Sequence, residues 1–244
     1  MVGCPAEGSV TMRGREDGFG AQYAAMISTY SWAIRHGLTY CVTPWRRMEH
    51  HANASALFEF VGGHRFGPAA TDSTAAVTEK HAELAREPLR NGSAWHRAAR
   101  AHYYATAKPR LAWRTAGPHL AVHIRRGDVT HRMPGRFVSN GLVAQCVMGV
   151  LSRMARKPSV HVFSQGAAAD FGSVLKLPRV QLHLNEPLEV TFHHLVSADV
   201  LIMAKSTLSD CAAFLSGGRL FEQPSTGGGG QLHYMHRSLE IHAC

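Results

Sequence analysis

No C-x-x-C pair occurs in the 244 residues, which argues against zinc-ribbon and thioredoxin-type chemistry. No apolar run approaches the length of a membrane span. Residues 1–10 have neither a basic start nor an apolar core, so no signal peptide is expected and the chain reads as soluble as written. An anchor or leader on a longer chain stays open. There is no long Lys/Arg block and no zinc-finger or RNA-binding signature. Acidic residues are the scarce charge: 17 Asp and Glu stand against 26 Lys and Arg, a net charge of +9. Such a balance favours acidic partners, whether nucleic acid, anionic membrane or phosphorylated small molecule. The positive charge is dispersed, which points to a phosphorylated ligand; a solvated basic surface is the plainer alternative. The five cysteines are odd in number and widely spaced, and they read mostly as small apolar core residues. Of the 17 histidines, the adjacent pairs His50-His51 and His193-His194 lack helical ligand spacing, so no metal site is expected. Two sequons begin at Asn53 and Asn91.

The stretch with the most chemistry is Leu120 to Asp128, L-A-V-H-I-R-R-G-D. Its apolar half alternates and predicts a short buried strand. Arg125 and Arg126 follow, Gly127 allows a turn, and Asp128 closes the run. A strand that delivers two guanidiniums to a turn puts a dense positive site at its carboxyl end, the edge where open α/β sheets bind ligands. The planar guanidinium fork suits phosphate. The same residues also fit a strand end whose charges reach solvent. An adhesive Arg-Gly-Asp reading needs an exposed loop tip, and a strand runs straight into this one.

Upstream, Ser9 to Met12 is extended and is followed by Gly18-Phe19-Gly20-Ala21-Gln22. A helical pattern then runs through Tyr23, Met26, Ile27, Tyr30 and Ile34 to Gly37, and a strand spans Leu38 to Thr43. The two glycines suit close approach to a ligand or a tight turn at positive φ. A helical stretch is expected over Trp45 to His51 and again over Ala54 to Val61, and another near 78–85. Ser93 is placed to cap a helix that ends near Ala107, and 108–118 reads as a connection. Beyond Asp128, a polar loop with His131, Arg132 and Arg136 precedes a helix over Val138 to Met154. Strands are expected at Val160–Phe163, Val180–Leu184, Val200–Met203 and Leu220–Glu222. Helices are expected near Ala167–Val174, Glu189–Ser197 and Asp210–Leu215, and a mobile tail from Gln223. This alternation predicts a parallel sheet with helices on both faces. Small hydroxyl residues at Ser206, Thr207 and Ser209 open the helix after Met203. They suit either a phosphate site or plain N-capping.

The residues His123-Ile124-Arg125-Arg126-Gly127-Asp128 resemble H-x-R-R-x-D, the signature of fucosyltransferases that form α1,2 and α1,6 linkages, found in looser form in protein O-fucosyltransferases. Gly18-Phe19-Gly20-Ala21-Gln22 is similar to the G-[LF]-G-x-Q turn near the start of many of these enzymes. Ser197 to Asp210 looks like their C-terminal motif, a strand followed by S-x-[FL]-S and a helix. Val162-Phe163-Ser164-Gln165 looks like the middle motif, but Gln165 stands where an aspartate is common, so no acid chemistry is assigned there. The stretch from His50 to about Gly117 carries no motif.

The resemblance implies an α/β fold of two Rossmann-like halves, GT-B-like, with the first reduced: residues 1–115 on the acceptor side and 116–244 binding a nucleotide sugar. It implies transfer of fucose from GDP-fucose to a glycan hydroxyl with inversion, without a metal or other cofactor. It assigns Arg125 and Arg126 to the donor diphosphate and adds Ser206, Thr207 and Ser209 as hydrogen-bond partners. Gly18, Phe19, Gly20, Gln22, His123 and Ser164 are the further substrate-binding positions. Asp128 and His131 are the nearest candidates for the base, and Asp128 alternatively holds an arginine by an ion pair. The α1,6 branch has a glutamate shortly after the arginines; none occurs here before Val138, so an α1,2-type or divergent branch fits better. The family implies a Golgi lumen in a eukaryote and a cytoplasmic setting in a bacterium. Two other classes compete. One is an inactive transferase-like protein that binds a nucleotide or phosphorylated sugar. The other is a nucleic-acid binder, which predicts steep salt dependence; no nucleic-acid partner and no membrane segment are expected. The acceptor and the oligomeric state are not legible.

Overall fold

The computed structural model describes residues 3–12, 15–51, 53–76, 93–113, 116–224 and 240–244. The second sequon's Asn91, the helix expected near 78–85 and most of the tail expected to be mobile lie outside them. The chain divides into two compact units, Met1–Lys108 with Tyr234–Ser238, and Pro109–His233 with Leu239–Cys244. Both carry parallel sheets flanked by helices, so the α/β class is as expected. No described helix is long and apolar enough to cross a membrane.

Unit 1 has three short parallel strands, β1 (Ser9–Thr11), β2 (Thr39–Tyr40) and β3 (Ala75–Ala76), with β1 in the middle. Its described helices are α1 (Phe19–Arg35), α2 (Ala54–Phe60) and α3 (Ala94–Tyr104). Capping explains where the shorter two start: Asn53 accepts from the Ala56 N–H and Ser93 from the His96 N–H. An aromatic cluster of Phe19, Tyr23, Trp45 and Phe58 fills the core beside α1. The helix expected over Trp45 to His51 does not form. Trp45 is drawn into that cluster, the Gln22 amide takes the Arg47 carbonyl at 2.9 Å, and the Glu49 N–H goes to the Glu16 carbonyl at 2.8 Å. Those backbone groups are therefore not available to a helical ladder.

Unit 2 holds the larger sheet: β4 (His119–His123), β5 (Ser159–Ser164), β6 (Val180–Leu184), β7 (Val200–Met203), β8 (Arg219–Glu222) and β9 (Ile241–Ala243). All neighbours are parallel, in the order β6-β5-β4-β7-β8-β9. Counted within the unit this is 3-2-1-4-5-6, the Rossmann order, whose direction reverses between β4 and β7. Helices α4 (Asn140–Ser152), α5 (Leu188–Ser197) and α6 (Thr207–Leu215) flank it. One face of the sheet, with Leu120, Val122, Val160, Val162, Val200 and Ile202, packs on Val143, Val147 and Val150 of α4. Since both faces of β4 are covered, all five of its residues are buried.

Three expectations need correction here. The helix near Ala167 is two 3-10 turns, Ala168–Phe171 and Val174–Lys176; Gly172 and Pro178 interrupt any longer helix. The chain after Gln223 is not all tail, because β9 adds a strand beside β8. Four of the five cysteines are not free core thiols. Cys4 pairs with Cys41 and Cys146 with Cys244, at Cα separations of 5.9 and 4.8 Å, and only Cys211 is a buried thiol. The second bridge ties α4 to the end of β9. Its sequence separation of 98 residues hides the proximity that the sheet order creates.

The other face of the sheet buries imidazoles. His161, fully buried, lies between Ser159 Oγ at 2.9 Å and His183 Nε2 at 3.0 Å. Trp113 stacks on His119 at 4.4 Å and meets His161 and His194 edge-on. His194 accepts the Ala112 N–H at Nε2 and donates from Nδ1 to the Val190 carbonyl, so its neutral form is fully satisfied. Burial, reinforced by His183, His119 and His194, pushes His161 down to about 3. Burial lowers His194 and His119 as well, against the pull of Glu186 on the first and Asp199 on the second. A histidine with a lowered native pKa takes up fewer protons folded than unfolded, so its stabilisation is complete above about pH 6.5 and falls as the pH drops toward the native value. The urea midpoint is expected to fall from pH 7.5 to pH 5, with His161 adding a slope approaching ~1.4 kcal/mol per pH unit. His161→Gln should flatten the profile, and an unchanged slope in that variant would remove His161 from the account.

Candidate functional site

The site is built at the carboxyl edge of the unit 2 sheet, where β4 and β7 part. Ile124 continues β4 by one more hydrogen bond, from its N–H to the Phe163 carbonyl at 3.0 Å. Arg125 then reaches across to β7's side. Its Nη1 donates to Ser206 Oγ at 3.0 Å and its Nη2 to Asp128 Oδ2 at 2.6 Å. Gly127 makes the turn with φ of 81°, and a Cβ there would run into the Gln165 side chain.

Arg126 goes the other way. It donates to the carbonyls of Arg125 and Val138 at 2.8 Å each and to Asn140 Oδ1 at 2.7 Å. Its guanidinium also lies 4.2 Å from the Phe137 ring centroid. Burial lowers its pKa, which still leaves it charged. The two arginines read as a pair in the sequence thus divide into one poised at the edge and one bracing the loop to α4.

Ser206 caps α6, accepting from the Leu208 N–H at 3.3 Å as well as from Arg125. Thr207 begins the helix half-buried, and its hydroxyl has no hydrogen bond among the described residues. Ser209 points inward and is fully buried. Its Oγ accepts the Ala204 N–H at 3.1 Å and lies 2.6 Å from His123 Nδ1. Either atom of that pair can be the donor, according to the tautomer of His123. Burial and the charge of Arg125 push His123 down to about 3, with Asp210 opposing, so the ring is neutral at physiological pH. Ser164 donates to the Ile124 carbonyl at 2.7 Å and ties the ends of β5 and β4.

Of the unit 2 residues expected from sequence, Arg125, Asp128, Ser206, His123 and Ser209 are joined in one hydrogen-bonded edge. Arg126 and Ser164 support it from either side. His131 sits in the exposed 130–136 loop. In unit 1, Gly18 is the N-cap of α1 at φ of −63°, so no positive-φ turn is involved. Phe19 is a core residue, and Gly20 lies in the first turn. Gln22 donates its amide to the Asp17 and Arg47 carbonyls at 2.7 and 2.9 Å.

Sequence reasoning missed Gln223 and Asn140. Gln223 follows β8 at the same edge; its Nε2 donates to the His123 carbonyl at 2.6 Å, and its buried Oε1 has no partner among the described residues. Its local sequence offers no signal, because the residues that follow the strands of this sheet are as often apolar, Ile124 after β4 and Ala204 after β7, as polar, Gln165 after β5 and Asn185 after β6. Asn140 accepts from Arg126 and donates to the Asp170 carbonyl at 2.5 Å, and nothing in its local sequence announces that role.

No family model and no curated protein matches the chain. Solved structures that resemble it include an α1,6-fucosyltransferase NodZ soaked with GDP-fucose, at 15% identity and TM-score 0.46, over 86% of this chain and 93% of that one. The fucosyltransferase NodZ from Bradyrhizobium overlaps at 15% identity and TM-score 0.45, over 86% and 94%. An E. coli heptosyltransferase, WaaC, with ADP overlaps at 10% identity and TM-score 0.46, over 97% and 92%. Similarity at this level does not carry a substrate or a reaction from those proteins to this chain.

The edge makes a stability prediction of its own. Ser209→Ala leaves the buried Ala204 N–H and His123 Nδ1 without partners and is expected to cost roughly 1–3 kcal/mol in urea unfolding. Thr207→Ala, which breaks no described bond, should change stability by less than about 0.5 kcal/mol. Equal effects at the two positions would show that the His123–Ser209–Ala204 chain contributes nothing special.

Proposed function

We propose that unit 2 binds the diphosphate of a nucleotide sugar and that the protein is a glycosyltransferase. In this reading fucose passes from GDP-fucose to a glycan hydroxyl with inversion and without a metal. The observation that carries the reading is Arg125. It stands at the point where the sheet order reverses, half-exposed, held by Ser206 and Asp128 beside the first turn of α6. A guanidinium and a helix start with a free hydroxyl together suit a diphosphate.

Each residue then has a role. Arg125 takes a phosphate oxygen, and Thr207 adds a hydroxyl beside it. Arg126, with its guanidinium turned toward Phe137 and Asn140, positions the loop. His123 and Ser209 fix the strand-to-helix step under the site, as Ser164 does for β5. Asp128 orients Arg125, and an anion that reaches Nη2 competes with it. When the sugar–phosphate bond breaks, negative charge grows on the leaving phosphate, and a preorganised donor that meets it there is worth roughly 3–4 kcal/mol of barrier. The electron pair stays with the diphosphate, and the acceptor hydroxyl attacks from the opposite face and loses its proton to a base. His131, in the loop beside the site, is the base candidate whose side chain has no described partner. Two disulfides suit an oxidising compartment, the lumenal setting among those the resemblance allows.

A second reading, a binding protein without turnover, is favoured by the pairing of Asp128 with Arg125, which leaves no unpaired carboxylate between His123 and Val138. Calorimetry separates the two. GDP is expected to bind the wild type better than UDP or ADP. Arg125→Ala should weaken it roughly ten- to a hundredfold, the loss of one charge-assisted hydrogen bond of about 1.5–3 kcal/mol. GDP-fucose turnover alongside supports the transferase, and GDP binding without turnover supports the second reading. No binding of any nucleotide would end both.

A further inference from the structure

Unit 1 carries a pocket of its own at the carboxyl edge of its sheet. Met12 enters it from the end of β1, Thr43 to Arg47 from the segment after β2, and Gln22 and Met26 from α1. The cavity measures about 150 Å³, below the range typical of drug-sized ligands and suited to one small ring. Its floor is apolar: Met12, Met26, Tyr40 and Trp45 are all buried. Its rim is charged, with Arg15, Arg46 and Arg47 against a single lining carboxylate, Glu16.

The rim is built rather than incidental. Gln22 holds both rim segments to α1 through the Asp17 and Arg47 carbonyls, and the Glu49 N–H ties the second segment to Glu16 O at 2.8 Å. The three guanidiniums differ in how engaged they are. Arg15 is paired with Asp17. Arg47 lies 3.8 Å from Glu16, a loose contact between side chains 78% and 66% exposed, which water screens. Arg46 is exposed and makes no hydrogen bond or ion pair among the described residues. An incoming anion therefore meets one unpaired guanidinium and one weakly paired one.

We propose that this pocket binds a sugar ring bearing a carboxylate or sulfate group. The thioether and aromatic floor accepts the C–H face of the ring, and Arg46 and Arg47 take the acidic substituent by charge-assisted hydrogen bonds. A bare anion would make no use of the floor, and a neutral sugar none of the rim. The inference concerns unit 1 alone and does not rest on the donor site proposed for unit 2.

The test is titration of the full chain at low salt with methyl glucuronide, methyl 6-sulfoglucoside, the neutral methyl glucoside and sodium sulfate. At least one acidic glycoside should bind about tenfold or more tightly than the neutral one, and which of the two does so separates carboxylate from sulfate. Affinity should fall as salt screens the exposed rim. The double variant Arg46→Ala with Arg47→Ala should erase the difference, and its melting temperature checks that it is folded. The Lys pair at the same positions should keep part of it. The proposal is overturned by equal binding of acidic and neutral sugars, by sulfate alone binding as well as the sulfated sugar, by no binding at all, or by a preference that survives the double variant. Loss of GDP binding elsewhere in the chain would not bear on it.

Discussion

The hydrogen bond from Arg125 to Ser206, at 3.0 Å, joins the ends of the two strands between which the sheet order turns back. At such a point the connections leave in opposite directions and open a crevice, so backbone and side-chain polar groups lose the partners that a neighbouring loop would supply. Here they find them across the gap. Ser206 serves Arg125 and the first turn of α6 at once; Ser209 serves Ala204 and His123; Gln223 closes the His123 carbonyl. The site is an exposed end of this network, where Arg125 meets the more exposed Asp128.

The division between Arg125 and Arg126 follows from elementary geometry. Successive side chains of an extended segment point to opposite sides. If one residue after β4 reaches β7's helix start, the next is directed toward the opposite connection, the loop to α4. There Arg126 finds two carbonyls, an asparagine and the Phe137 ring, which compensate for its partial burial. A guanidinium in that position brackets the eleven residues of loop from 127 to 137.

Much of unit 2 was legible because its signals are local. Apolar runs such as Val160 to Phe163 and Val200 to Met203 fall within a residue of their strand limits. Ser93 and Ser206 cap the helices they precede. What was not legible is long-range. The Cys146–Cys244 bridge and β9 depend on which strand ends up at the sheet edge. The loss of the helix after Trp45 depends on an aromatic cluster assembled from residues far apart in the chain. At the site, the arginines were visible as a motif, but the inward orientation of Ser209 and the presence of Gln223 required the sheet order, because both act through a residue of β4 some eighty to a hundred positions away.

The neutral state of His123 completes the electrostatic account. A second cation buried beside Arg125 would have to be desolvated and would repel it, two terms of the same sign. Burial and Arg125 together keep the ring uncharged, and Ser209 Oγ gives its Nδ1 a hydrogen-bond partner at 2.6 Å. His123 therefore adds no charge to the strand end, past which the guanidinium of Arg125 reaches. Asp128, 40% exposed, neutralises that guanidinium from the solvent side only. An anion with more than one acceptor oxygen can take the same Nη2 at no loss of hydrogen bonds to Arg125, whereas a neutral ligand would have to break the ion pair without replacing its charge. In the proposed diphosphate reading, charge on the ligand is selected before any shape is recognised.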